Sequence, residues 1–91
     1  MSLNFPNPVR RFDAGRSCIS FWGSDASLEI AFQIDIDAMH KLGAGPQDDD
    51  AQMLATFDSH RDAILKAAAS AYGRHKASYH RLTAADLSGR N

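Results

Sequence analysis

The stretch Leu28–Ile34, with the sequence LEIAFQI, decides how this chain folds. Large apolar residues occupy every second position, and the residues between them are polar or small. This period of two is typical of a β-strand that buries one face and leaves the other more open. The stretch therefore predicts a half-buried strand with Leu28, Ile30, Phe32 and Ile34 on its packed face.

A partner strand precedes this stretch. Residues 17–22 alternate in the same way, with Ile19 and Phe21 on one face. Residues 23–27, with the sequence GSDAS, are turn-forming and of a length suited to a hairpin. If Ile19 and Phe21 face a core, then Cys18, Trp22 and Ala31 share the opposite, open face of the predicted sheet.

The rest of the chain is mainly helical. Asp35 or Asp37 is predicted to cap a short helix that ends near Leu42, with Gly43 closing it. The three aspartates at 48–50 predict a helix start rather than a calcium loop, which needs spaced ligands. That helix runs to about residue 75, and its apolar residues fall in a sector about 120° wide. Residues 78–83 form a candidate third strand.

The predicted order is therefore β-β-α-α-β. This order indicates an α+β fold with two layers, in which one long helix covers one face of a small antiparallel sheet. Residues 17–87 are expected to form a single domain. Residues 1–16 are predicted to be an arm that packs on this body and can add an edge strand, and residues 88–91 a loose tail.

Composition excludes several classes of protein. The chain has 91 residues, a formal charge of −1 and no basic excess, so nucleic acid is not an expected partner. No apolar run approaches the roughly 20 residues of a membrane span. Cys18 is the only cysteine and the first residues lack the pattern of a secretory signal, so we expect a cytoplasmic protein.

The order of several short motifs resembles domain-of-unknown-function family 1488. They are Asn-Phe-Pro at 4–6, Ile19-x-Phe21, Phe57-x3-Arg61-x2-Ile64-x3-Ala68 and Leu82-Thr83-x2-Asp86. This resemblance implies a compact α+β fold and a bacterial, mostly proteobacterial, source. The family has no assigned activity, so the resemblance supplies no catalytic residue.

Arg61 is the most informative charged residue, because it lies near the middle of the apolar sector of the long helix. A guanidinium there must be paired or must reach water. The first interpretation is a structural ion pair with Asp86. The alternative is an anion-binding arginine in a pocket between helix and sheet.

The remaining candidates concern binding rather than catalysis. No catalytic constellation, metal-ligand spacing or cofactor motif is found, so a non-enzyme is expected. The leading hypothesis is a protein-interaction module that uses Trp22, Cys18 and Ala31 on the open sheet face, or a sheet edge, with another protein or a second copy. A nucleic-acid accessory role would use a basic cluster: Lys66, Arg74, Lys76 and Arg81.

Overall fold

A computed structural model describes residues 3–6 and 9–87, so the predicted tail at 88–91 lies outside the described residues. The strands are β1 (Leu3–Asn4), β2 (Arg10–Asp13), β3 (Cys18–Asp25), β4 (Leu28–Asp35) and β5 (Tyr79–Leu82). The α-helices are α1 (Ile36–Lys41), α2 (Asp50–Ser59), α3 (Arg61–Arg74) and α4 (Ala84–Leu87). The α+β architecture predicted from the sequence is confirmed.

The β3–β4 hairpin is the centre of the sheet. Its strands pair antiparallel from Cys18 opposite Asp35 to Asp25 opposite Leu28. The strands are longer than predicted, because β3 continues through Gly23 and the turn is confined to residues 26–27. Gly23 is needed there for a steric reason: a Cβ at this position would lie 2.8 Å from the Phe5 ring.

The N-terminal arm is part of the sheet. Both β1 and β2 pair antiparallel with the free side of β3. The order across the sheet is β1-β3-β4-β5, with β2 also paired to β3. The sheet is mostly antiparallel, as predicted, but β5 pairs parallel with β4. The intervening helices return the chain to the starting end of β4, which is the connection that parallel neighbours require.

The predicted single long helix is two helices. They meet at His60, whose φ of −114° and ψ of 20° are outside the helical range. A ring nitrogen of His60 also lies 3.1 Å from the Thr56 carbonyl oxygen, so this side chain engages the backbone at the break. The break lets α2 contact β2 while α3 contacts β5.

Two predicted helix boundaries are observed. The long helical region starts with a capping box, in which the Asp49 carboxylate accepts from the Gln52 N–H and the Gln52 side chain accepts from the Asp49 N–H. Gly43 follows α1 with a φ of +115°, a conformation that residues with a Cβ rarely adopt. Asp35 precedes α1 but makes no capping hydrogen bond.

The core lies between the helices and one face of the sheet. Phe21 stacks on Phe32 with ring centroids 5.4 Å apart, and Phe57 of α2 meets Phe21 edge-on at 5.3 Å. His80 is also buried, with its ring stacked on Phe32 and a ring nitrogen 2.9 Å from the Ala77 carbonyl oxygen. This hydrogen bond explains how a polar residue is accommodated in the packed face of β5.

Candidate binding surface on the open sheet face

The side of the sheet that faces away from the helices is called the open face here. Its central residues belong to alternate positions of four strands and are absent from the hydrophobic core cluster among the described residues. These residues are Arg11, Asp13, Ser20, Trp22, Ala31, Gln33, Tyr79 and Arg81. The period of two in β4 therefore separates a packed face from a face available for contact.

An aromatic row crosses the open face. Trp22 of β3 and Tyr79 of β5 both pair with Ala31, which lies between them on β4. Tyr79 is 51% exposed, and Trp22 is partly buried. Because Ala31 has only a methyl side chain, it leaves space between two large rings. A depression of about 300 Å³ lies here.

A polar row runs beside the aromatic row. In cross-strand register it passes from Arg11 through Ser20 and Gln33 to Arg81. Gln33 is only 7% exposed, and its Oε1 accepts hydrogen bonds from the Tyr79 hydroxyl at 2.7 Å and from Arg81 Nη1 at 3.0 Å. The hydrogen bond from Arg81 therefore holds the orientation of the Gln33 carboxamide, which lies on the open face beneath the side chains of Tyr79 and Arg81.

The charges at this surface are mostly paired. Arg81 forms an ion pair with Asp35, whose Oδ1 atom is buried, and donates to the Arg16 carbonyl oxygen at 3.1 Å. Partial desolvation lowers the pKa of the Arg81 guanidinium, but Asp35, Cys18 and Tyr79 together raise it by more, so the pKa is raised overall. Asp13 accepts from the Arg16 backbone N–H at 3.1 Å. Arg11 is exposed and has no ion pair within residues 3–6 and 9–87.

The predicted contact residues do not all reach solvent. Trp22 and Ala31 line the depression. Cys18 shares their side of β3 but is fully buried, in register between Asp13 and Asp35. Cys18 is therefore a structural residue and cannot contact a partner in this fold.

The predicted pairing of Arg61 with Asp86 is wrong. Asp86 instead receives a hydrogen bond from Arg74 at 3.2 Å and caps its own turn by accepting from Thr83. The Arg61 guanidinium lies over the Phe57 ring, 5.8 Å from its centroid. Because Arg61 keeps partial access to solvent, this cation–π contact is sufficient and no buried partner is needed.

The four predicted nucleic-acid contacts do not form one basic patch. Arg81 lies on the open face, whereas Lys66 and Arg74 belong to α3 on the other side of the sheet. Arg74 is paired with Asp86, and the Lys76 ammonium lies over the Tyr72 ring at 5.9 Å. The sheet itself separates charges that are close in sequence.

Several surface residues were not predicted from the sequence. Arg11 is among them, because the sequence predicts an arm rather than a strand at residues 10–13. Two others could have been predicted. The alternation in Leu28–Ile34 indicates that Gln33 lies on the open face, and the polar stretch 79–81 contains Tyr79. A polar strand with every second residue buried is the signal that would have placed Tyr79 and Arg81 on the open face.

Two further properties of the described residues bear on function. In residues 3–6 and 9–87, no group of three or more potential ligands could hold a metal ion. Within the same described part of the chain, no helix is long and apolar enough to cross a membrane.

The fold and the surface define a class: a small α+β domain whose sheet is packed on one face and presents polar and aromatic residues on the other. A family model for proteins of unknown function, DUF1488, matches residues 3–80. The chain belongs to this family, as the sequence motifs indicated.

A solved structure has the same fold. It is the crystal structure of a protein of unknown function from the DUF1488 family of Shewanella loihica PV-4, with a TM-score of 0.79 and 19% identity. The match covers 89% of this chain and 91% of that one. Comparison with curated proteins gives no match.

Proposed function

We propose that this protein is a non-enzymatic interaction module of the bacterial cytoplasm that binds a segment of a partner protein on its open sheet face. The observation that carries the proposal is the aromatic row. Trp22 and Tyr79 flank Ala31 on a sheet face that no core residue of the described chain covers. Partly exposed aromatic rings beside a polar rim are the composition that protein interfaces favour.

The geometry gives the alternatives less support. The basic residues proposed for nucleic acid are divided between the two sides of the sheet. Arg61 lies over an aromatic ring rather than in a depression. Lys66 lines a depression on α3, but with Asp62 and three apolar residues rather than with a second basic residue. The depression on the open face brings the donors of Arg11 and Gln33 together.

Site-specific photo-crosslinking in the native cells tests the proposal. The probe p-benzoylphenylalanine replaces Tyr79 on the open face, and a matched control carries it at Ala63, an exposed position on α3. We expect one heteromeric adduct from position 79 and none from position 63. An adduct at twice the mass of this chain would identify a second copy instead. Equal adducts from both positions would contradict a specific surface.

A further inference from the structure

We propose that the depression on the open face binds a carboxylate carried by an acidic side chain of the partner protein. This inference rests on the proposed function, because it names the chemistry by which the open face recognises its partner. It draws on three independent observations: an unused donor, an unpaired cation and the balance of neighbouring charges.

The unused donor is the amide nitrogen of Gln33. Oε1 of this side chain is identified by its partners, because the Arg81 guanidinium can only donate and therefore faces the oxygen. Nε2 must then be the other atom of the carboxamide. The hydrogen bonds of the described residues give it no acceptor, and it is not among their buried unpaired atoms, so it faces solvent in the depression. Gln33 is more than nine-tenths buried and lines the depression. An oxygen of a ligand would satisfy this donor.

Among the described residues, Arg11 has no ion pair, and it lies on the opposite side of Ser20 from Gln33. All three residues line the depression, and they are directly paired across β2, β3 and β4. Arg11 and Gln33 are two strand spacings apart, or about 10 Å between backbones. Their side chains leave room above Ser20 for a group of carboxylate size. A guanidinium and an amide N–H together provide donors for two carboxylate oxygens.

The acidic residues near the depression have cationic partners other than Arg11. Asp13 also lines the depression, but it accepts from the Arg16 N–H, and the Arg16 Nε atom lies 3.8 Å from Asp13 Oδ2. Asp35 is paired with Arg81. An acidic ligand would therefore meet an uncompensated guanidinium rather than a neutral surface.

The shape of the depression favours a carboxylate on a protein over a free small acid. A small-molecule site encloses most of its ligand, whereas this depression of about 300 Å³ lies on an open sheet. A partner protein would bring its own surface to cover the bound carboxylate. The rings of Trp22 and Tyr79 are placed to contact the methylene groups of a glutamate or an adjoining apolar residue.

Intrinsic fluorescence provides the test, because Trp22 is the only tryptophan of the chain. The protein is titrated at low ionic strength with acetyl-Leu-Glu-Leu-amide and, separately, with acetyl-Leu-Gln-Leu-amide. We expect the glutamate peptide to bind about tenfold more tightly, which corresponds to about 1.4 kcal/mol. Arg11→Gln should abolish this preference. Lys66→Gln removes the same charge from α3 and should retain it.

Three results would overturn the inference. The first is a preference for the glutamate peptide below threefold. The second is an equal loss of binding in Arg11→Gln and Lys66→Gln, which would indicate diffuse electrostatic attraction. The third is tighter binding of free benzoate or succinate than of the glutamate peptide, which would make a small acid the ligand. If crosslinking from position 79 still captures a partner in such a case, the interaction module stands and only carboxylate recognition fails.

Discussion

The two faces of the sheet are formed by neighbouring residues of the same strands, but one face is packed against the helices and the other is open to solvent. Phe21 is 1% exposed and packs between Phe32 and Phe57, whereas Trp22 beside it lies at an open depression. The packed face is held by rings and aliphatic chains. The open face is held by hydrogen bonds and ion pairs that keep Gln33, Tyr79 and Arg81 in place. Core packing and the proposed partner recognition therefore fall to alternate residues of the same strands.

The largest expected effect separates these two roles at adjacent positions. Phe21→Ala should lower the free energy of unfolding by about 3–5 kcal/mol, because it leaves a cavity among the rings of Phe5, Phe32 and Phe57. Trp22→Ala should cost less than about 1.5 kcal/mol, because the ring already has access to solvent. Urea unfolding followed by far-ultraviolet circular dichroism measures both. Equal losses would mean that the open face is covered as fully as the packed face.

A smaller effect is expected from the ion pair on the open face. Arg81→Met would leave the buried Asp35 Oδ1 atom without its cation and would remove one donor from Gln33. Because the Arg81 side chain is 38% exposed, we expect a loss of about 1–2 kcal/mol, below that of a fully buried pair. The matched control Arg16→Met removes an exposed arginine of the same surface. If both variants unfold at the same urea concentration, the Arg81 network does not hold the open face.

The smallest effect concerns the bond between the arm and α2. The Arg10 guanidinium donates two hydrogen bonds to Asp58, at 2.9 and 2.8 Å, and these hold the pKa of the Asp58 carboxyl below its usual value. A lowered pKa in the folded state means that the stabilisation is present above the unfolded pKa, about 3.9, and is lost as pH falls below it.

Asp58→Asn should therefore cost about 0.5–1 kcal/mol at pH 6, a modest figure because both groups are partly exposed. The difference from the unmodified protein should shrink toward pH 3. Thermal unfolding at the two pH values measures it. A difference that is constant with pH would show that the loss comes from packing rather than from charge.

The sequence predicted the packed face better than the open face. The alternation in Leu28–Ile34 and the helical spacing of residues 57–68 both predict burial, and Ile30, Phe32, Ile34, Phe57, Ile64 and Ala68 are buried. The prediction is wrong for Leu28, which lies beside the hairpin turn and is 62% exposed. Burial is readable in the sequence because each buried position favours an apolar residue, whichever residues it packs against. The same period correctly placed Trp22 and Ala31 on the other side of the sheet.

The parts that were missed depend on contacts between distant residues. Arg11 faces the depression only because residues 10–13 pair with β3. The sequence of those four residues, RRFD, does not itself predict a strand. The pairing of Asp86 with Arg74 rather than Arg61 depends on the break at His60 and on where α4 returns. Charged residues on a surface can exchange partners at little cost, so their pairing is weakly encoded locally.

Native mass spectrometry of the protein isolated from its own cells at low salt tests the central claim most directly. Three forms are compared: the unmodified chain, Ala31→Glu, which fills the depression with a competing carboxylate, and Ala63→Glu, which places the same change on α3. We predict one heteromeric complex for the unmodified chain and for Ala63→Glu, and none for Ala31→Glu. A complex that survives Ala31→Glu, or a chain that carries no partner in any form, would contradict the claim that the open face is an interaction surface.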